Sequence, residues 1–276
     1  PTSSARAVGT RSGKVCMLTR FQVLRDNTPQ LAPDDIPAHL FISRNDKTGW
    51  SINVAIAQTC QPTKACMEYC YGLGGRIVMD AALRKQAENA RFFDARQTWE
   101  IRNEAEDVVH AVSRHQDFVR MFGVGDLQPG SVEFVAWMAP YARIRRPGFR
   151  IWLATRKLAL AEQLPTSPNL HVMMSLDATT TPKNVEKTRE LVGRGPTWFA
   201  AWARRSIDEV IPDFVRVVFE EHKWGGRRAN REPERRACPA TVFNGAEHEG
   251  ACSRCRYCFD ATKRKSGSPL VQIRTK

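Results

Sequence analysis

The amino-acid sequence predicts an α/β protein: a partial, open β/α barrel of about six parallel strands, followed by a small cysteine-rich metal-binding segment. The first observation behind this prediction is that short apolar runs alternate with stretches of helical periodicity over residues 45–222. The second is that the alternation stops near residue 223, where the chain becomes rich in Arg, Gly and Cys. Because so few apolar positions cannot fold a segment by themselves, we expect a bound metal ion to cross-link it.

Helical periodicity separates the predicted strands up to residue 197, and this alternation implies parallel strands joined by helical crossovers. The predicted strands are residues 51–57, 118–124, 149–154, 170–175, 197–203 and 214–219. The predicted helices are residues 79–115 with a break near Thr98, 131–146, 157–163 and 182–192. About six strands are too few for a closed eight-stranded barrel, so an open barrel is expected and an open doubly wound sheet is the alternative.

Positive charge is concentrated at the two ends of the chain. The net charge is +13; residues 1–26 carry five Lys or Arg against one Asp, and residues 223–276 carry 13 against five acidic residues. We therefore divide the chain into an N-terminal basic arm (1–44), the partial barrel (45–222) and the basic cysteine-rich segment (223–276). Basic termini around a neutral body predict a polyanionic partner, most simply nucleic acid, and added solubility is the alternative.

Length and composition exclude two classes of protein. Apolar residues make up 42% of the 276 residues, which is enough for a core and excludes a disordered chain. No apolar run approaches the roughly 18–20 residues of a membrane span and no signal peptide is visible, so we expect a cytoplasmic protein without a membrane partner. In that compartment the eight cysteines are expected to be reduced thiols that are available as metal ligands.

The first cysteine group, Cys60, Cys66 and Cys70, directly follows the first predicted strand. Three thiolates hold three corners of a [4Fe–4S] cluster and leave one iron open, whereas a structural zinc site takes four ligands. The group therefore predicts a cluster with an exchangeable position, or one with a fourth ligand from elsewhere in the chain. Three cysteines packed as small apolar side chains are the alternative.

The second cysteine group is Cys238, Cys252, Cys255 and Cys258. A Cys-Pro pair with a separate Cys-x2-Cys-x2-Cys run is similar to the ligands of bacterial ferredoxins, which favours a second [4Fe–4S] cluster. A four-cysteine zinc site is the alternative. The sequence leaves open whether the two groups share one cluster, and the isolated Cys16 is interpreted as an ordinary thiol.

Polar residues at the other strand ends add to the predicted site. Asp126, Arg156 and Asp177 each follow a predicted strand, and Gly125 precedes the first of them. Because the carboxyl ends of parallel strands meet at one edge of a sheet, we expect these side chains to surround the first cysteine group. Their mixed charge suits a zwitterionic ligand: Asp126 or nearby backbone carbonyls would receive an ammonium group, and Arg156 would pair with a carboxylate.

Taken together, these motifs resemble those of radical S-adenosylmethionine enzymes. In that family a loop after the first strand carries three cysteines with an aromatic residue before the last, as Tyr69 precedes Cys70 here, although the x5 and x3 spacings of this chain are longer. The open iron of the family's [4Fe–4S] cluster takes the amino and carboxylate groups of S-adenosylmethionine. The resemblance implies that Tyr69, Gly125, Asp126 and Arg156 lie at the site for that cofactor.

A closer resemblance, over roughly residues 45–260, is to the phage gene product 88 family. Its members share a Cys-Tyr-Gly loop like residues 70–72, a Gly-Asp strand end like residues 125–127, a Thr-Arg strand end like residues 155–157 and a terminal Cys-Pro and Cys-x2-Cys-x2-Cys pattern. The resemblance implies a phage-encoded iron–sulfur protein with a radical-enzyme-like fold, acting in the host cytoplasm, and it names no reaction.

Two functions remain after this reading of the sequence. The first is a radical-type iron–sulfur enzyme that acts on a nucleotide or nucleic acid, as the open-iron loop and the basic ends suggest. The second is a protein without catalysis, in which clusters or zinc hold together a surface that binds nucleic acid or a host protein. The longer cysteine spacing and the Arg-rich tail favour this second function.

Overall fold

The computed structural model describes residues 17–45, 49–73, 75–206, 208–220, 236–237 and 255–260. Its centre is one sheet whose strands lie side by side in chain order, from β1 to β8. The strands are β1 (Ile42–Asn45), β2 (Gly49–Ile52), β3 (Phe118–Met121), β4 (Arg150–Thr155), β5 (Leu170–Asp177), β6 (Trp198–Arg204), β7 (Val215–Glu220) and β8 (Arg236–Ala237). β1 and β2 are antiparallel, and every later pair of neighbours is parallel.

The described helices connect and cover these strands. They are α1 (Met17–Asn27), α2 (Ile56–Thr59), α3 (Lys64–Tyr69), α4 (Asp80–Ala95), α5 (Thr98–Ser113), α6 (Pro129–Arg145), α7 (Leu158–Ala161) and α8 (Pro182–Val192), with 3₁₀ turns at Tyr71–Leu73, Gly75–Val78 and Tyr257–Phe259. The break expected near Thr98 is confirmed, because α5 begins there. Within the described residues, no helix combines the length and the apolar character that a bilayer crossing needs.

The sequential strand order excludes one of the two expected architectures for the described sheet. A doubly wound sheet reverses its order at a switch point, and this sheet does not. Seven of the described strands, β2 to β8, form the parallel array, one more than the sequence predicts. Among the described residues the edge strands β1 and β8 pair only with their inner neighbours, so the sheet is open there.

The structure corrects the first predicted strand, residues 51–57. β2 ends at Ile52, and α2 begins only four residues later. The chain turns between them because Asn53 accepts a hydrogen bond from the backbone N–H of Val124 (2.9 Å), and Val54 donates one to the carbonyl of Val124 (3.1 Å). These contacts bind the chain to the loop after β3. Val54 and Ala55 are buried there, so the apolar pattern of the sequence extends beyond the last residue of the strand.

The segment expected to be an arm, residues 1–44, contains regular structure in its described part. α1 places Leu24 in an apolar group with Ile56 and Leu73, next to the first cysteine loop. β1 begins at Ile42 and adds an antiparallel edge to the sheet. Both elements therefore belong to the body of the protein.

The main core lies between one face of the sheet and the helices. Alternate strand residues point to this face, since successive side chains of a strand lie on opposite sides. Ile52, Met121, Leu153 and Met174 are among them, and all are fully buried against α4, α5 and α6. Burial of this continuous apolar layer stabilises the packing of the helices on the sheet.

The opposite face of the sheet is covered in part by the end of the described chain. The residues that point to this face share an apolar group with Tyr257 and Phe259, and Cys255 and Cys258 pack against this group. They are Phe118, Trp152, Met173 and Phe199. The rings of Phe118 and Phe259 stack with centroids 4.1 Å apart. Arg256 forms two hydrogen bonds with Asp117, of 2.5 and 3.2 Å. The described part of the cysteine-rich segment is therefore integrated into the sheet's core.

Replacing Phe259 by alanine should release this segment from the sheet. The ring is 1% exposed, so its loss leaves a cavity and should lower the free energy of unfolding by about 3–5 kcal/mol. Urea unfolding followed by fluorescence measures the change. Val210→Ala is the control, because Val210 is 90% exposed and should change stability by less than about 0.5 kcal/mol. Equal stability of the two variants would contradict the docking.

Candidate metal centre

The three cysteines of the first group come together in the loop between β2 and α4. Cys60 directly follows α2, Cys66 lies within α3 and Cys70 follows α3 at its end. Because Cys66 and Cys70 are four residues apart on one helical turn, their side chains are neighbours, and they share a hydrogen bond. Cys60 and Cys70 both pack against the apolar group that contains Leu24 and Val124. The thiols therefore converge on one place.

The short helix α3 begins at a threonine that also anchors the loop. The side chain of Thr63 accepts a hydrogen bond from the backbone N–H of Cys66 (3.1 Å), which caps the helix. Its hydroxyl donates to the carboxylate of Asp177 at the end of β5 (2.5 Å). The backbone N–H of Ala65 donates to Thr179, two residues beyond that strand (3.2 Å). One side of the cysteine loop is thus held by the carboxyl end of β5.

A second threonine attaches the loop to the end of β3. The side chain of Thr59 donates to the carbonyl of Ala55 and accepts from the backbone N–H of Asp126 (3.0 Å). The Asp126 carboxylate is buried and accepts hydrogen bonds from Thr155 (2.5 Å), Leu127 N–H (2.8 Å) and Arg156 N–H (3.1 Å). Asp126 therefore joins the ends of β3 and β4 beneath the loop.

Arg156, the first residue after β4, lies between Asp126 and Asp177 and contacts both. Its backbone N–H donates to Asp126, and its guanidinium forms an ion pair with Asp177 at 2.8 Å. The Asp177 side chain is 1% exposed and that of Arg156 is 16% exposed, so water screens this pair only weakly. The pair links β4 to β5 directly beside the cysteines.

Gly125 is required by a close approach of two backbones. Its φ is +85°, a conformation that favours glycine, and a Cβ there would lie 2.3 Å from the carbonyl oxygen of Val54. No side chain fits at that distance. The glycine therefore lets the loop after β3 pack against the chain that enters the cysteine loop.

The environment separates the pKa values of the three thiols. Burial raises the pKa of Cys60, and the nearby Asp126 carboxylate raises it further. A hydrogen bond from Cys70 lowers the pKa of Cys66 from 9.0 to about 7, with further help from the Arg156 charge and against the effect of burial. The same hydrogen bond, together with burial, raises the pKa of Cys70. Cys66 is accordingly the most acidic of the three thiols.

The two aspartates have opposite pKa shifts. Burial raises the pKa of Asp126 in spite of its three hydrogen bonds. Burial also acts to raise the pKa of Asp177, but the Thr63 hydrogen bond, the Arg156 charge and the Thr179 hydrogen bonds outweigh it and leave that pKa below its usual value. Asp177 is therefore held as a carboxylate.

The structure brings some of the predicted site residues together and places others elsewhere. Asp126 and Arg156 lie beside the three cysteines, whereas Gly125 contributes backbone packing only. Tyr69 ends α3, and its side chain lies outside the described part. Cys238 and Cys252 also lie outside the described residues.

The other two predicted ligands, Cys255 and Cys258, are carried by a segment at the opposite end of the strands. In that segment Arg256 pairs with Asp117, which precedes β3. Asp260 lies 3.9 Å from Arg150, the first residue of β4. These contacts lie at the amino ends of β3 and β4, whereas Arg156 lies at the carboxyl end of β4 beside the first cysteine group.

Sequence reasoning missed Thr59 and Thr63, which position the loop. The sequence offered one indication of their role: Thr59 directly precedes Cys60, and Thr63 precedes the helical segment that carries Cys66. It also missed a polar group away from the sheet's carboxyl edge, where ligand atoms of His39, Glu104 and Asp107 lie within 4.8 Å of one another. His39 and Glu104 already bind each other there, at 2.8 Å.

Fold and site together define an α/β protein with a three-cysteine centre at the carboxyl ends of a sequentially ordered parallel sheet. Compared with protein-family models, the chain matches gene product 88 over residues 23–261. The match covers most of the chain, so the protein belongs to the phage gene product 88 family. Comparisons with curated proteins and with solved structures gave no match.

Replacing Asp177 by asparagine should destabilise the protein strongly. The substitution keeps the shape but leaves the Arg156 charge buried beside a neutral amide, which typically costs about 3–5 kcal/mol. Denaturant unfolding at neutral pH measures the loss. The matched control is Asp213→Asn, because Asp213 is 80% exposed, pairs with Arg189 and should contribute less than about 1 kcal/mol. A loss no larger than in the control would show that the ion pair does not hold the loop.

Wild type and the Asp177→Asn variant should also differ in how their free energy of unfolding depends on pH. Since the folded pKa of Asp177 lies below its usual 3.8, the carboxylate stabilises the folded state at higher pH, and this contribution is lost as pH falls through the folded pKa. The stability difference between wild type and D177N should stay constant from neutrality to about pH 5 and shrink below about pH 4. A difference that grows towards low pH would contradict this sign.

Proposed function

We propose that this protein binds a [4Fe–4S] cluster through Cys60, Cys66 and Cys70, with one iron left without a cysteine ligand. The observation that carries the proposal is the convergence of three thiols in one loop at the carboxyl ends of parallel strands. Thiolates are the preferred ligands of iron–sulfur clusters. Cysteine binds a metal as the thiolate, so it must lose its proton. A bound cluster would therefore lower the pKa values of Cys60 and Cys70, which burial raises in the protein alone.

The donor set around the loop favours an open iron over a closed four-ligand zinc site. Among the described side chains, the carboxylates that act on the thiols are those of the two aspartates. Asp126 already accepts three hydrogen bonds, and Asp177 is taken by Thr63, Thr179 and Arg156. A metal that recruited either carboxylate would break the contacts that hold the loop. These contacts support a site whose fourth position accepts an external ligand.

S-adenosylmethionine is the external ligand that we propose for this position. Such a cluster, when reduced, supplies an electron to that cofactor. Arg156 has five N–H donors on its guanidinium and uses one nitrogen for Asp177, so donors remain for a ligand carboxylate. Asp126, by contrast, suits the internal role of joining β3 and β4 better than the binding of an ammonium group. Backbone carbonyls of the loop after β3 are then the acceptors for the amine.

The second cysteine group is proposed to hold a separate metal centre, a cluster or zinc. Cys255 and Cys258 pack partly buried beside the aromatic residues of the opposite sheet face. Metal binding there would fasten the end of the chain to the sheet. This observation favours the second candidate function, a metal-stabilised protein that binds nucleic acid or a host protein without catalysis. Of the basic ends proposed to bind nucleic acid, residues 1–26 and 223–276, the parts 1–16, 223–235, 238–254 and 261–276 lie outside the described residues.

Iron analysis tests the first centre. Replacing Cys60, Cys66 and Cys70 together by alanine should remove one cluster's iron and sulfide, about four atoms of each per chain, from anaerobically purified protein. Cys16→Ala is the matched control for loss of a thiol and should retain full iron. Cys255→Ala/Cys258→Ala should keep the iron of the first centre. Unchanged iron in the triple variant, or zinc in its place in the wild type, would overturn the proposal.

Cofactor turnover separates the two candidate functions. Protein reduced with dithionite and incubated with S-adenosylmethionine should release 5′-deoxyadenosine, measured by chromatography. Arg156→Gln should weaken binding of the cofactor, whereas Arg189→Gln, on the surface of α8, should not. An intact cluster with neither cofactor binding nor 5′-deoxyadenosine would reject the enzyme and leave the binding protein.

A further inference from the structure

A second functional surface lies at the end of the molecule away from the first cysteine group, where α5 and α6 finish together. Three contacts join these helices with a constant offset of 31 residues. They are Arg102 to Glu133 at 2.7 Å, Glu106 to Trp137 at 3.1 Å and His110 to Tyr141 at 2.7 Å. A constant offset of this sign means that the helices are parallel, so their carboxyl ends meet at one edge of the protein.

Four arginines gather at these two helix ends. Arg114 follows α5, Arg143 and Arg145 belong to the last turn of α6, and Arg146 follows it; all four are exposed. The 31-residue offset places Arg114 beside Arg145. We call these four residues the arginine patch.

The arginine patch has no acidic counterpart nearby in sequence. Residues 108–116 and 134–161 contain no Asp or Glu. Among the described contacts, none of the four arginines pairs with a carboxylate, and Arg146 contacts only the ring nitrogen of His110, at 3.2 Å. The nearest acid, Asp117, is already bound to Arg150 and Arg256.

Helix dipoles account for only part of this charge. Arginines in a last helical turn are commonly explained by the negative end of the helix dipole, which is equivalent to about half a charge for each helix. Two helix ends therefore balance about one of the four positive charges. A surplus of about three charges remains on one small surface, and it needs an external anion to neutralise it.

We propose that the arginine patch binds the phosphate backbone of a nucleic acid. Phosphates arranged along a backbone match several arginines at once, and each guanidinium can hold a phosphate through two parallel hydrogen bonds. The patch lies where α6 leads into the amino end of β4, at the opposite end of the strands from Cys60, Cys66 and Cys70. It therefore anchors the nucleic acid away from the cluster, and this inference does not depend on the cluster or on the basic termini.

A charge-reversal variant of the full chain tests this surface. Arg143→Glu/Arg145→Glu should bind a fluorescent 20-base-pair DNA duplex at least about ten-fold more weakly than wild type in low salt, measured by anisotropy. Because each lost phosphate contact removes about 0.9 from the slope of log affinity against log salt, the slope should become shallower by about two. The matched control is Lys85→Glu/Lys183→Glu, which makes the same change in net charge at two exposed positions elsewhere.

Three results would overturn the inference. They are equal affinity of the patch and control variants, no binding of the duplex by wild type in low salt, and displacement of the duplex by polyglutamate at equal charge concentration, which would indicate an acidic protein partner. Arg143→Gln/Arg145→Gln repeats the test if glutamates at the helix end lower the melting temperature. This milder variant should lose affinity in the same direction while it melts like wild type.

Discussion

The buried carboxylate of Asp177 is the contact on which the cysteine site depends. It accepts hydrogen bonds from Thr63 and Thr179 and pairs with Arg156, whose backbone N–H in turn reaches Asp126. These contacts run across the ends of β3, β4 and β5 and return to the loop on both sides of Cys60, at Thr59 and Thr63. Each partner compensates a charge or a dipole that would otherwise be buried alone, so the contacts are retained or lost together. The sheet thereby sets the positions of the thiols.

The parts of the fold that were predictable are those that depend on periodicity. Residues 170–175 were expected to be a strand because apolar residues fill both faces, and β5 covers them and continues to Asp177. The helix over residues 182–192 was also expected, with Pro182 at its start, and the structure caps it with Thr181. Parallel strands put their carboxyl ends at one edge, which is why the meeting of Cys66 with Asp126 and Arg156 could be inferred without a structure.

What was missed depends on contacts between distant residues. Residues 51–57 alternate like a strand, but the hydrogen bonds that Asn53 and Val54 make with Val124 end it early, and nothing local signals them. The roles of Thr59 and Thr63 follow from aspartates more than 60 residues away. The 31-residue offset that brings Arg114 and Arg145 together is equally invisible in sequence, because it is set by packing between helices. In each case tertiary geometry decides what the local pattern leaves open.

The return of the last described segment to the first part of the sheet has a consequence for synthesis. Asp117 and Arg256 are 139 residues apart in the chain, and a ribosome adding about 5–20 residues per second needs about 7–30 s to traverse that interval. During this time Phe118 and Trp152 lack the ring of Phe259 that later covers them. Exposed aromatic surface of this kind favours aggregation. The nascent chain therefore has the greatest need of a chaperone while the cysteine loop at the other end of the strands has already been made.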